Sequence, residues 1–516
     1  MFSTGPKNPK FGNFSILASE SFDGVSDGKK SIAMKTGYTY FDLPTGYKDY
    51  EIGTGLILPN GGFQPKVYSC IGESGSGKTT IMLQCAGAIV DNYWGGNLIV
   101  MDAEMNTPPE RIMSVCGWTK EEYHQKCKHI PSYPSMTIND VYNMIRRTAH
   151  SKEAAGEGLK ISVPYEEGNT GECVVMYPPT VIIVDSIPSL AFSGGVEDKI
   201  NTKNPFQATE EIASVTEGMR EANQHTQFLK KAKAYLPEYN IILIAVNHIT
   251  TQITTGRFDK PKKFHPDLKP GEKTAGGKEW IYQSFGLPRL TPREKIDDYK
   301  PIYGDEVRGN IVDFTMVKNK ANVSAKNYRI VFDKRTGFRP ELTDFEYLFT
   351  VKFGLSGSPA AMYLDILPEI KFTRKNLLNK CREEPLLSRA IAFTAKYHLS
   401  NEMIIPGEYP IVDFKGYQWL PVHVRINMIL SSTVPYPKYR KMNGEYDRKL
   451  NACIQAAYLS RHYTGMSPDH YIHPSNIVRI DEAVMHLEDG FCGNIEQKPL
   501  TIKAGIISGD IVSKNK

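Results

Sequence analysis

Residues 72–79, Gly-Glu-Ser-Gly-Ser-Gly-Lys-Thr, carry the spacing GxxxxGK[ST] between an apolar run, KVYSCI, and a helical stretch, TTIMLQCAGAIV. Phosphate binding needs that order of strand, loop and helix. Gly72, Gly75 and Gly77 let the chain curl so that backbone N–H groups from Glu73, Ser74 and Ser76 through Thr80 converge on one point, and the helix start adds its partial positive charge. Lys78 is then placed to reach terminal phosphates, and Thr79 to ligate magnesium. The expected ligands are ATP and Mg2+.

A metal on such a loop needs a second carboxylate to organise its waters. TVIIVD offers Asp185 at the end of an apolar strand, followed by Ser186, and this carboxylate would meet the metal through water. Hydrolysis also needs a group that orients or deprotonates water, and NLIVMDAEM sets Asp102 and Glu104 just past a strand end, with alternation turning both to one side. Capping the helix that starts at TPPE is the competing use for both acids. His248 ends the run NIILIAVN and stands directly before a long polar segment. Its ring suits a hydrogen bond to the γ-phosphate that reports nucleotide state to that segment; the alternative is a satisfied structural histidine.

The polar segment, TTQITTGRFDKPKKFHPDLKPGEKTAGGK, is far longer than an ordinary connection. Between Arg257 and Lys278 it holds seven basic residues (Arg257, Lys260, Lys262, Lys263, Lys269, Lys273, Lys278) against three acids, so most of the chain's surplus charge of +5 is concentrated there. Phe258 and Phe264 are interleaved with the lysines, the mixture that tracks phosphates and stacks on the bases of single-stranded DNA. A solvated lysine loop without a partner is the competing reading. Tyr436-Pro-Lys438-Tyr439-Arg440-Lys441 is a second basic and aromatic patch, suited to duplex capture or to an ordinary surface. His124-Gln-Lys-Cys127-Lys-His129 has too few ligands for a metal site.

The elements that must position these residues follow from four apolar runs, KVYSCI, NLIVMD, TVIIVD and NIILIAVN, which alternate with amphipathic stretches. They predict buried strands of a mostly parallel α/β sheet. NIVDFTMVKNK and NYRIVFDKR predict antiparallel strands extending it. Residues 151–179 predict a surface insertion with a small hairpin, and GLSGSP at 354–359 a break before a mixed helical region. With 516 residues, 41% hydrophobic and 23% charged, the chain has the composition of a folded multidomain protein. Eight scattered cysteines without a CxxC pair argue against a disulfide framework or structural zinc, and the first twenty residues lack the features of a signal peptide. The expectation is a cytoplasmic protein with no membrane association.

Together GESGSGKTT, LIVMDAE, VIIVDSIPSLA and IAVNH resemble the RecA and UvsX class of ATP-dependent strand-exchange recombinases, and VKNKANV at 317–323 looks like the Lys-Asn-Lys strand of that family. The phage UvsX-type members look closest, because His248 follows Asn247 where bacterial RecA has Gln. The resemblance implies that Glu104 activates water and that Lys318 and Lys320 reach the nucleotide of the neighbouring subunit, as arginine fingers do. From the residues alone these lysines also fit a solvated strand edge. The family's first DNA loop would fall around residues 193–197, Arg220 would face backbone phosphates from the following helix, and Gly276 and Gly277 would close the second loop. Arg111 stands where bacterial RecA has an aromatic on adenine, which implies guanidinium stacking.

These readings predict an α/β fold with a RecA-like P-loop NTPase core and a mostly parallel central sheet. Residues 1–48 are expected to form an extended arm for subunit contact, 49–345 the ATPase core with DNA loops, and 346–516 a smaller α+β C-terminal domain. The expected activity is a DNA-dependent ATPase of homologous recombination and repair. It would polymerise as a helical filament on single-stranded DNA and pair it with homologous duplex DNA, beside single-strand-binding and mediator proteins. Two alternatives stand beside it: a DnaB-like hexameric ring helicase, and a slow nucleotide-binding scaffold.

Overall fold

The computed structural model describes residues 33–45, 48–51, 57–132, 135–164, 173–191, 210–251, 263–265, 268–297, 301–321, 324, 327–403 and 422–432. Among them a ten-stranded sheet is built from Val67–Gly72 (β1), Asn97–Asp102 (β2), Cys127–Pro131 (β3), Thr180–Asp185 (β4), Ile241–Thr251 (β5), Glu272–Thr274 (β6), Gly286–Ile296 (β7), Gly309–Asn319 (β8), Asn327–Asp333 (β9) and Gly337–Phe338 (β10). The order is β10-β9-β8-β7-β1-β5-β4-β2-β3, with β6 paired to β5. From β7 to β3 every neighbour is parallel, whereas β8, β9 and β10 add on antiparallel. The runs expected to be buried strands are β1, β2, β4 and β5, and every residue of β1 and β4 is buried, as strands covered on both faces require.

Parallel register brings the strand ends together. Gly72 pairs with His248, and Asp102 with Asp185, so all four chemically marked ends lie along one edge of the sheet, where α/β folds bind ligands.

Helices cover the strands. Lys78–Asn92 (α1) follows β1, Pro109–Cys116 (α2) packs beside it, and Ile138–Ala155 (α3) and Glu210–Glu238 (α4) pack on each other. Val141 and Ile145 of α3 and Leu229 and Leu236 of α4 meet Ile182, Val184, Leu243 and Ala245 in one core. Glu279–Gln283 (α5) leads into β7, and Pro340–Val351 (α6) packs on β9 and on Pro385–Met403 (α7).

Three local expectations change. Residues 33–45, read as part of an extended arm, pack on their own chain: Tyr38, Tyr40 and Phe41 are buried, with edge contacts of Tyr38 to Phe338 and Phe41 to Phe314. Aromatic area drives that burial. Residues 1–32 lie outside the described residues. The insertion begins later than 151, because α3 runs to Ala155; its hairpin pairs Ile161–Pro164 with Cys173–Met176. The expected break at 354–359 is the first strand, Leu355–Ser358, of a three-stranded meander with Ala361–Leu364 and Leu367–Phe372. Gly357, at φ 92, sits where an added Cβ would meet the Ala361 carbonyl at 2.2 Å, so the glycines serve the strand pairing itself.

Candidate active site

The phosphate-type loop leaves β1 at Gly72, where a Cβ would stand 2.4 Å from the Leu290 carbonyl. Gly77 turns the chain into α1 at φ 86, and no side chain caps the helix. The N–H groups of the first turn are therefore left for an anion. Glu73, Ser74 and Gly75 form the exposed crest, and Ser76 braces it by donating to the Glu73 carbonyl at 2.8 Å. Lys78 is 5% exposed and donates to the carbonyls of Gly72 (3.1 Å) and Glu73 (2.6 Å) at the mouth of the loop. Burial pushes its ammonium down, opposed by Cys70, Asp185 and Glu104.

Thr79 reaches across to β4, its hydroxyl donating to Asp185 Oδ1 at 3.0 Å, while Thr107 donates to Oδ2 at 3.3 Å. Burial, and then the charge of Glu104, push the Asp185 carboxyl up to about 6. A hydroxyl and a carboxylate this close form a hard-oxygen donor pair, and the acid crowding around Asp185 is what a divalent cation relieves. The residues present fit Mg2+.

Asp102 and Glu104 do not share a task. Asp102 is buried and accepts from the backbone N–H groups of Asn106 (3.3 Å) and Thr107 (3.0 Å), with His129 3.4 Å away. Both amides belong to the loop before α2, whose N-terminus receives no side-chain cap, so Asp102 pins that loop and does not cap the helix as the sequence suggested. Glu104 instead turns to β4 and β5, accepting from Ser186 Oγ, with His248 Nε2 3.2 Å from its Oε1. Partial burial alone would raise its pKa, but hydrogen bonds from Ser186, His248 and Asn106 outweigh this and hold the carboxyl below its ordinary range. Glu104 is thus an ionised, oriented carboxylate beside the phosphate loop, the form a general base needs. The Asp185–Ser186 peptide is cis.

Arg111, on α2, comes to the first turn of α1: its guanidinium donates to Thr80 Oγ1 (3.1 Å) and to the carbonyls of Lys334 (2.9 Å) and Arg335 (3.2 Å). Lys318 and Lys320 lie apart from their own loop, at the end of β8, where Lys318 pairs with Leu287 near the start of β7.

Both described ends of the long basic loop are fastened near Glu104. β5 runs on through His248 to Thr251, β6 returns along it, and Asn247 donates to the Ala275 carbonyl at 3.0 Å. Arg289 of β7 makes a two-pronged pair with Glu272, both contacts 2.7 Å. Gly276 and Gly277 then turn with φ 68 and 83 into α5, Gly277 facing Ala222, two residues from the exposed Arg220 on α4. Lys278 stands over the Phe264 ring at 5.3 Å; Lys263, Lys269 and Lys273 are described alongside. Arg257, Phe258, Lys260, Lys262, residues 193–197 and the patch at 436–441 lie outside the described residues.

Sequence reasoning left Ser186, Thr107, Asn247 and the Arg289–Glu272 pair out of the site. Ser186, adjoining Asp185 at a strand end, carried a readable hint; Arg289, in mid-strand, carried none.

No family model matches the chain, and no curated protein matches it. Among solved structures it is similar to an ATPase domain, with 14% identity and a TM-score of 0.35 over 63% of this chain and 96% of that one. The mostly parallel sheet with a phosphate-type loop after its central strand β1 is the α/β architecture that the apolar runs predicted. Among the described residues no helix is long and apolar enough to cross a membrane.

Proposed function

We propose that this protein is a DNA-dependent ATPase of the RecA-like class that assembles on single-stranded DNA and promotes homologous pairing and strand exchange. The observation that carries the reading is the 3.2 Å contact between His248 and Glu104 at the root of the basic loop. It joins the carboxylate suited to activate water to the strand from which the candidate DNA contacts hang. Thr79 and Asp185 would hold Mg2+, which when bound with ATP neutralises phosphate charge. The chain's own work is to orient: the α1 amides and Lys78 fix the phosphates, Glu104 takes a proton from water, and Ser186 aims Glu104. His248 senses the same carboxylate, so nucleotide state and loop geometry are linked through one hydrogen bond.

Pairing of DNA strands needs no covalent DNA chemistry; base pairing reads the sequence while the protein holds the strand. The deciding experiment is electron microscopy with single-stranded DNA and a nonhydrolysable ATP analogue, together with ATP turnover with and without that DNA. Helical filaments and stimulated turnover are expected. Closed six-membered rings would transfer the chain to the helicases, and assembly indifferent to DNA would leave a scaffold.

A further inference from the structure

The turn that closes the basic loop rests on a buried histidine and a buried tryptophan. His225 of α4 is 2% exposed and Trp280 of α5 is 1% exposed. The indole Nε1–H donates to His225 Nδ1 at 3.0 Å, and His225 Nε2 stands 3.6 Å from Glu221 Oε1, one turn back on α4. An indole nitrogen only donates. His225 Nδ1 therefore carries no proton, so the ring is neutral and its one proton sits on Nε2, facing Glu221. That contact holds the Glu221 carboxyl below its ordinary range.

Three elements meet at this bond. A Cβ on Gly276 would stand 2.8 Å from the same indole Nε1 and 3.0 Å from Ile187, and one on Gly277 would stand 3.1 Å from Ala222. The closing turn is thus seated on Trp280 and on α4, between Arg220 and His225. Ile187 follows Ser186, which holds Glu104.

Uptake of a proton at Nδ1 would set two N–H donors against each other in a buried place and leave the indole without its acceptor. Glu221 is the charged group that faces the ring. On α5 the neighbouring charges turn elsewhere, since Lys278 stands over the Phe264 ring and Glu279 accepts from Gln283. From α3, Tyr142 meets Phe228 edge-on, with Arg146 over the Tyr142 ring.

We propose that His225 is a proton-controlled positioning residue for the grip on single-stranded DNA. Neutral, it accepts from Trp280 and seats the closing turn of the basic loop on α4; protonated at Nδ1, it drops the indole and releases the turn. The inference rests on the DNA reading above. Its sign is diagnostic, because acidification adds positive charge and by itself strengthens binding to a polyanion, whereas loss of the seat weakens it.

The test follows anisotropy of a labelled single strand at constant salt from about pH 8 to about pH 5.5, the interval in which imidazoles take up protons. It compares full-length wild type, His225→Asn and Trp280→Phe. Nucleotide is left out, which keeps the phosphate site, with the Asp185 carboxyl at about 6, out of the readout. Wild-type affinity falls about tenfold across the interval. Asn offers the indole an acceptor and does not titrate, so His225→Asn binds within about twofold of wild type at the alkaline end and stays flat. Trp280→Phe has no donor to lose, and binds throughout as weakly as wild type does at the acid end. Tryptophan emission changes over the same interval in wild type and not in His225→Asn. Wild-type affinity that holds or rises with acid, or a decline in either variant like that of wild type, overturns the inference and leaves the DNA reading standing. A wild type that ignores the strand even at the alkaline end overturns the DNA reading. Tryptophan emission then decides the switch alone, and an unchanged emission in wild type removes it too.

Discussion

At the scale of single residues the site turns on Glu104. A carboxylate just past a strand end swings freely unless something holds it, and here Ser186 and His248 hold one oxygen while Asn106 holds the other. Two of these partners stand at the ends of other strands, so Glu104 is aimed mainly by the sheet, with Asn106 of its own loop adding the third hydrogen bond. Glu104→Gln keeps the size and loses the base. Its turnover is expected to fall by about 10²-fold or more, with binding of an ATP analogue retained. Ser186→Ala keeps the base but frees it, so a smaller loss, about tenfold, is expected. Steady-state turnover and analogue binding on the two variants check both; full activity in Glu104→Gln would reassign the base. Asp102, equally placed by alternation, is occupied by the Asn106 and Thr107 amides, which only the fold could reveal.

At the scale of elements, Lys152 shows how the sheet's opposite edge is closed. Its ammonium, 5% exposed, leaves the end of α3 and donates to the carbonyls of Pro178 (2.7 Å), Tyr239 (2.8 Å) and Asn240 (3.4 Å), at the entries to β4 and β5. Burial pushes it from the ordinary 10.5 down to about 7. Between those values the unfolded chain carries a proton here that the folded chain does not, so stability falls as pH falls through this window and levels off below it. Lys152→Met removes that dependence. Melting temperatures at about pH 7 and about pH 9.5 should rise with pH more in wild type than in the variant; equal slopes would mean that the three carbonyls keep the charge in place. Nothing in RRTAHSKEAA hints at this role, because Lys152 sits in a polar stretch and its partners are remote in sequence. The phosphate loop and Asp185 were legible because each is a short motif beside an unbroken apolar strand. The meander at 355–372 was not, since glycine and serine mark a turn and a tight strand pairing alike, and α5 is too short to show periodicity.

At the scale of the whole molecule, a surplus of +5 on 516 residues is too diffuse to attract a polyanion unaided. Any DNA affinity must come from local groups, and the fold offers two that differ in what surrounds them. Lys318 and Lys320 converge on the carbonyls of Ile281 and Tyr282 at the end of α5, whereas the lysines of the long loop are spread along sequence, as contacts that follow a backbone must be. Salt separates the two. Each phosphate contact to a single strand contributes about 0.7 to the slope of log affinity against log salt, so changing Lys262 and Lys263 to Ala should flatten the slope by about 1.4 if both touch the backbone. Lys318→Gln/Lys320→Gln should leave that slope unchanged when DNA binding is measured without nucleotide. Fluorescence anisotropy of a labelled single strand across a salt series reads both. Should the loop variant keep the wild-type slope, the charge concentrated between Arg257 and Lys278 serves something other than DNA, and the link from Glu104 through His248 would lead to a different ligand.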